Sequence, residues 1–85
     1  MQNEMNDVQS LAEVKTGEHA VFRSITGGRG IASRLTTLGF TPGVDIEMLQ
    51  NYGRGPLVVT VRGSRVALGR QEARDISVWK GASPE

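Results

Sequence analysis

From Val44 onward the chain is a series of short apolar–polar alternations cut by turn residues. Val44, Ile46 and Met48 alternate with Asp45 and Glu47. Leu57, Val59 and Val61 alternate with Val58, Thr60 and Arg62, and Arg65-Val66-Ala67-Leu68 and Ile76-x-Val78 follow. Period-two alternation predicts half-buried strands. Asn51-Tyr52-Gly53-Arg54-Gly55-Pro56 reads as a hairpin loop, and Gly63-Ser64 as a tight two-residue turn. Strands this short, each with one apolar face, must curl on themselves to bury that face. No βαβ unit and no fixed-period repeat is present, so a parallel α/β architecture and a solenoid are excluded.

The N-terminal half adds one strand and one helix. Glu18 to Thr26 reads as a strand with Ala20 and Phe22 on one face. Ile25 is out of phase, so either a bulge lies near Arg23-Ser24 or Val21 and Ile25 meet a second apolar surface. Gly27-Gly28-Arg29-Gly30 breaks the strand, and Ile31, Leu35 and Leu38, with Ala32 beside them, form a helical stripe. Gly39 suits the left-handed residue that closes a helix, and Pro42-Gly43 has the signature of a type II turn. Ser10 with Glu13 has capping-box spacing, and places Leu11 and Val14 in one inward-facing turn. Gln71 to Arg74 reads as another helical turn with Ala73 inward. The expected architecture is mainly β: a small, partly open barrel of about five strands with a short inserted helix over about 30–38. Residues 1–9 are expected as a flexible tail, 10–79 as the domain and 80–85 as a second tail.

Size and charge narrow the function. Eighty-five residues make one domain at most, and no cysteine is available for a disulfide or a thiolate metal site. The longest apolar run, Leu57-Val58-Val59, cannot span a bilayer, and the polar start of the chain lacks a secretory signal, so a cytoplasmic location is expected. Residues 1–18 carry a net −3 and residues 19–85 a net +4, and eight of the ten cations are Arg. Arg23, Arg29 and Arg34 have no acid between them, and only Glu72 interrupts the run of Arg54, Arg62, Arg65, Arg70 and Arg74. Such a surface keeps a domain soluble, or docks an acidic partner, since Arg suits forked contacts with carboxylates.

The residues of catalysis are missing. There is no Cys, no Ser in a nucleophile elbow, and a single His, so an enzyme is not expected. Gly28-Arg29-Gly30 lacks the third Gly of a dinucleotide fingerprint and the Lys-Ser/Thr of a P-loop. His19 and Glu18 are the candidate metal ligands, with Asp45 or Glu47 on another strand. One imidazole and exposed carboxylates make a labile or adventitious divalent site, so no cofactor is required. Nucleic acid is the rival partner, because small barrels stack bases on aromatic platforms. Only Tyr52 and Phe40 look available as platforms, which argues against it.

Several blocks in this order resemble a known family. Leu11-x-x-Val14-x-x-Gly17 and Ala20-x-Phe22-x-x-Ile25-x-Gly27-Gly28 open the pattern. Leu38-Gly39-Phe40-x-Pro42-Gly43 and Ala67-Leu68-Gly69-Arg70-x-Glu72-Ala73 are its most specific parts. Residues 11–79 are similar to FeoA-type ferrous iron transport proteins A. The resemblance implies an SH3-like barrel with an inserted helix, and a cytoplasmic accessory of bacterial ferrous iron uptake. Its implied partner is the FeoB-type membrane transporter, through the cytosolic GTPase domain or the membrane part. The same fold ends metal-dependent repressors of the diphtheria-toxin type, but no helix-turn-helix precedes the domain in this sequence. From the residues themselves, Arg29, Arg34, Tyr52 and Arg54 are the expected partner contacts. The chain is expected as a monomer or weak dimer, with Met48, Leu49 and Val58 as interface candidates.

Overall fold

A computed structural model of the chain describes residues 8–80. Six strands form one antiparallel sheet: β1 (Val8–Ser10), β2 (His19–Ile25), β3 (Asp45–Gln50), β4 (Leu57–Val61), β5 (Ser64–Leu68) and β6 (Ile76–Lys80). Helix α1 (Arg29–Thr37) follows β2, and helix α2 (Arg70–Arg74) joins β5 to β6. The order across the sheet is β1-β6-β2-β3-β4-β5. Val8 and Gln9, expected in a tail, pair with Trp79 and Val78. Lys80, also assigned to a tail, pairs with Ala20. Two polar residues flanking one valine give no alternation to read, so β1 owes its conformation to the strand beside it. The rest of both tails lies outside the described residues.

Period-two burial holds along the strands: Ile46 and Met48, then Leu57, Val59 and Val61, then Val66 and Leu68 point inward. Among the described residues, all sixteen buried side chains belong to one cluster that includes Leu11, Val14, Leu35, Phe40 and Ala73. Two irregularities let the sheet bend around that cluster. One lies between Phe22 and Ser24 against β6, which places the bulge at Arg23 and returns Ile25 to the core side. The other lies between Met48 and Gln50 against β4. The ends of the sheet do not pair with each other. The gap is bridged by α2 and by the 3₁₀ turn Leu11–Glu13, where the Ser10 hydroxyl donates to the Ala73 carbonyl at 3.0 Å. Met48 is fully buried, which removes it from the interface candidates.

The β4–β5 turn differs by one residue from the sequence reading. Val61 pairs with Ser64, so Arg62 and Gly63 form the two-residue loop. Both have positive φ, 51° and 79°, as a type I′ turn requires. Arg62 is held there by its side chain, whose Nε and Nη2 donate to the Gly39 carbonyl at 3.3 Å and the Thr41 hydroxyl at 2.9 Å. Helix α1 ends as expected. Gly39 has φ 110°, its N–H donates to Thr36 O, and Phe40 N–H donates to Leu35 O, each at 3.0 Å, completing a Schellman motif. Leu35 and Phe40 meet in the core, but Leu38 is exposed.

Candidate functional site

Four sequence-derived contact residues fall on two elements, α1 and the loop between β3 and β4. Arg29 is the first residue of α1 and is exposed. A cation there opposes the helix dipole, so the charge does not serve the helix. Arg34 is not the free cation expected of it: its guanidinium pairs with the Glu72 carboxylate on α2. Glu72 also accepts from the Gly69 N–H at 3.2 Å as the return arm of the α2 cap. Arg34 therefore ties α1 to α2, a contact invisible at a separation of 38 residues.

Tyr52 and Arg54 lie in the loop joining β3 to β4, and Tyr52 is 75% exposed. This loop is fastened at its base by Asn51. The Asn51 side-chain amide donates to the carbonyls of Ala12 at 3.0 Å and Val14 at 2.7 Å. Its oxygen accepts from the Gly53 N–H at 3.0 Å and from Arg70 Nη2 at 2.6 Å. Arg70 Nε donates further to the Gly55 carbonyl at 3.3 Å, and the Asn51 N–H donates to the Thr16 hydroxyl at 2.8 Å. One side chain thus joins the loop to the N-terminal turn and to α2. In the sequence Asn51 and Arg70 read only as a turn residue and a surface charge. Apart from the Gly53 N–H, their partners lie in distant segments, which leave no trace in a residue pattern. No hydrogen bond or ion pair among the described residues links Arg29 or Arg34 to Tyr52 or Arg54.

The aromatic side chains are otherwise occupied. Phe40, read as an available platform, is buried edge-to-face against Phe22, with centroids 6.0 Å apart. Trp79 is 36% exposed and lies beneath the Arg23 guanidinium, 5.9 Å from the ring centroid. Tyr52 is left as the one aromatic presented broadly to solvent among the described residues.

His19 and Glu18 do not converge. The His19 Nδ1 lies 3.0 Å from the Asp45 carboxylate, and its register partner on β3 is Glu47. Glu18 turns back to accept from the Lys15 N–H at 2.9 Å. Among the described residues no three His, Cys, Asp or Glu side chains group so as to hold a metal. No described helix is long and apolar enough to cross a membrane.

A second surface lies between α1 and β5. Thr37, Leu38, Val66 and Ala67 line an open groove, with Arg34 and Arg65 at its rim. Leu38, part of the helical stripe in the sequence, is 37% exposed here.

A bent antiparallel sheet with a helix between its second and third strands, and with no polar or charged side chain fully buried among the described residues, is an SH3-like domain. Residues 9–80 match the FeoA domain model, and the chain belongs to the FeoA family. It is 34% identical over 68 residues to "Putative Fe(2+) transport protein A" of Methanocaldococcus jannaschii, covering 80% of this chain and 82% of the relative. The crystal structure of an iron uptake regulatory protein (FeoA) superposes with a TM-score of 0.81 at 32% identity, covering 87% of this chain and 99% of the other. A zinc complex of FeoA from Stenotrophomonas maltophilia, described as a prokaryotic SH3 domain protein, superposes with a TM-score of 0.74 at 33% identity, covering 82% and 88%.

Proposed function

We propose that this protein is a non-catalytic accessory of ferrous iron uptake that docks on a FeoB-type transporter from the cytoplasmic side and needs no resident cofactor. The observation that carries the reading is the Tyr52 loop. A tyrosine three-quarters exposed, with Arg54 beside it, stands on a loop that Asn51 and Arg70 hold in place. Tyr and Arg are the side chains over-represented at binding hot spots, and a loop fixed in advance loses little entropy on binding. Family membership supports the transport role, since relatives carry the name of ferrous iron transport protein A.

The test is ferrous iron uptake by cells lacking their own copy of the gene. The wild-type chain is expected to restore uptake. Tyr52→Ala combined with Arg54→Glu is expected to restore little, although both positions are exposed and the variant remains folded by circular dichroism. Full restoration by that variant would contradict the assignment of this loop.

A further inference from the structure

We propose that the groove between α1 and β5 binds an extended acidic segment of a partner protein, which adds to β5 as a seventh strand. The proposal rests on the reading of the chain as a docking module, but not on which protein it docks to.

Backbone geometry supplies the first argument. β5 ends the sheet and pairs only with β4. The hairpin closes at Val61 and Ser64 through a two-residue loop, so that pair exchanges both hydrogen bonds, and the pattern alternates without a bulge to Leu57 and Leu68. Val66 and Leu68 therefore direct their backbone groups to β4. Arg65 and Ala67 direct theirs away from the sheet, leaving two N–H groups and two carbonyls for another strand. An unpaired edge of this kind is a template for strand addition unless something covers it. Here the open groove lies beside it, with α1 on the far side.

Charge supplies the second argument, and identifies the occupant. No Asp or Glu occurs between residues 48 and 71, nor between 19 and 44, so both walls of the groove come from acid-free stretches. Arg65 lines the groove with no acid paired to it among the described residues, whereas the Arg34 guanidinium beside it is held by Glu72. Leu38 and Val66 line the groove with apolar surface, and Ala67 shares the face of Arg65 on β5. A strand alternating acidic and apolar residues matches both features: its acids reach Arg65 on one face while its apolar residues meet Val66 and Leu38 on the other.

The test is an NMR titration of the ¹⁵N-labelled full chain with a synthetic peptide alternating Glu and Val, and with its Lys–Val counterpart. The acidic peptide is expected to shift the amides of Thr37, Leu38 and 65–67, to slow exchange of the Arg65 and Ala67 amides, and to outcompete the Lys peptide. Ala67→Pro removes only an outward-facing N–H, a substitution edge strands tolerate, and is expected to weaken binding about tenfold. Arg65→Glu, on an exposed side chain, is expected to lose about as much through repulsion, and keeps the test valid should Ala67→Pro unfold the strand. Shifts centred on residues 51–55, equal affinity for the Lys peptide, or unchanged affinity in Arg65→Glu would overturn the proposal. So would concentration-dependent protection of Arg65 and Ala67 without peptide, which would mark β5 as a contact between two copies of the chain. Because the probe is a peptide, failure of docking to the transporter leaves this result independent.

Discussion

Asn51 makes more tertiary contacts through its side chain than its place in a turn suggests. It serves two carbonyls, one N–H and one guanidinium, from three different segments. Removing it leaves these four groups unpartnered in a half-buried site, so Asn51→Ala should cost about 2–4 kcal/mol at about 0.5–1 kcal/mol per lost bond. Urea denaturation checks this, and a change below about 0.5 kcal/mol would show that water replaces the amide freely. Gly39 is the second such residue. Its φ of 110° suits glycine alone, and a Cβ there would lie 3.1 Å from Arg62 Cδ. Gly39→Ala should destabilise by about 1–3 kcal/mol, mostly through backbone strain. Adding Arg62→Ala should relieve the contact but not the strain, so the double variant stays well below wild type in thermal melts. The need for glycine was legible, because the helical stripe ends one residue earlier. The guanidinium above it was not, because β4 arrives there only through the tertiary fold.

At the level of elements, the sequence foretold most of what local chemistry decides. The alternating runs became β3, β4, β5 and β6, and the out-of-phase Ile25 marked a real bulge at Arg23. Three readings failed for definite reasons. The turn after β4 falls on Arg62-Gly63, because Arg62 accepts a left-handed conformation in return for its bonds to the 39–41 loop. Leu38 belongs to the helical stripe by spacing, yet the chain leaves α1 there and carries Phe40 inward instead. β1 has no pattern of its own and forms because β6 offers an edge. Leu35 and Phe40 lock the end of α1 to the core, so Leu35→Ala should cost about 2–4 kcal/mol through the cavity it leaves. A loss under 1 kcal/mol in chemical denaturation would mean that α1 packs only loosely.

On the scale of the whole molecule, the buried apolar side chains among the described residues form one cluster, and no charged side chain there is buried. Composition and charge pattern already excluded a catalytic apparatus from the expectations, and the resemblance to FeoA carried the fold. The surroundings of the proposed contact residues were only half legible. Tyr52 and Arg54 stand exposed as expected, whereas Arg34 is engaged by Glu72, and the β5 edge required the strand order to become visible. Replacing Arg34 by Glu would therefore disturb the α1–α2 contact as well as any interface, which makes Tyr52, Arg54 and Arg65 the cleaner positions to probe.

The most direct test of the docking claim is calorimetric titration of the purified protein into the full-length FeoB-type transporter and into its isolated GTPase domain, with GTP turnover followed alongside. The account predicts saturable binding to the full-length transporter, weakened about tenfold by Tyr52→Ala with Arg54→Glu. Binding to the isolated domain with altered turnover would place the contact on the GTPase; binding to the full-length protein alone would place it on the membrane part. Absence of binding to both, with the protein folded, would contradict the account.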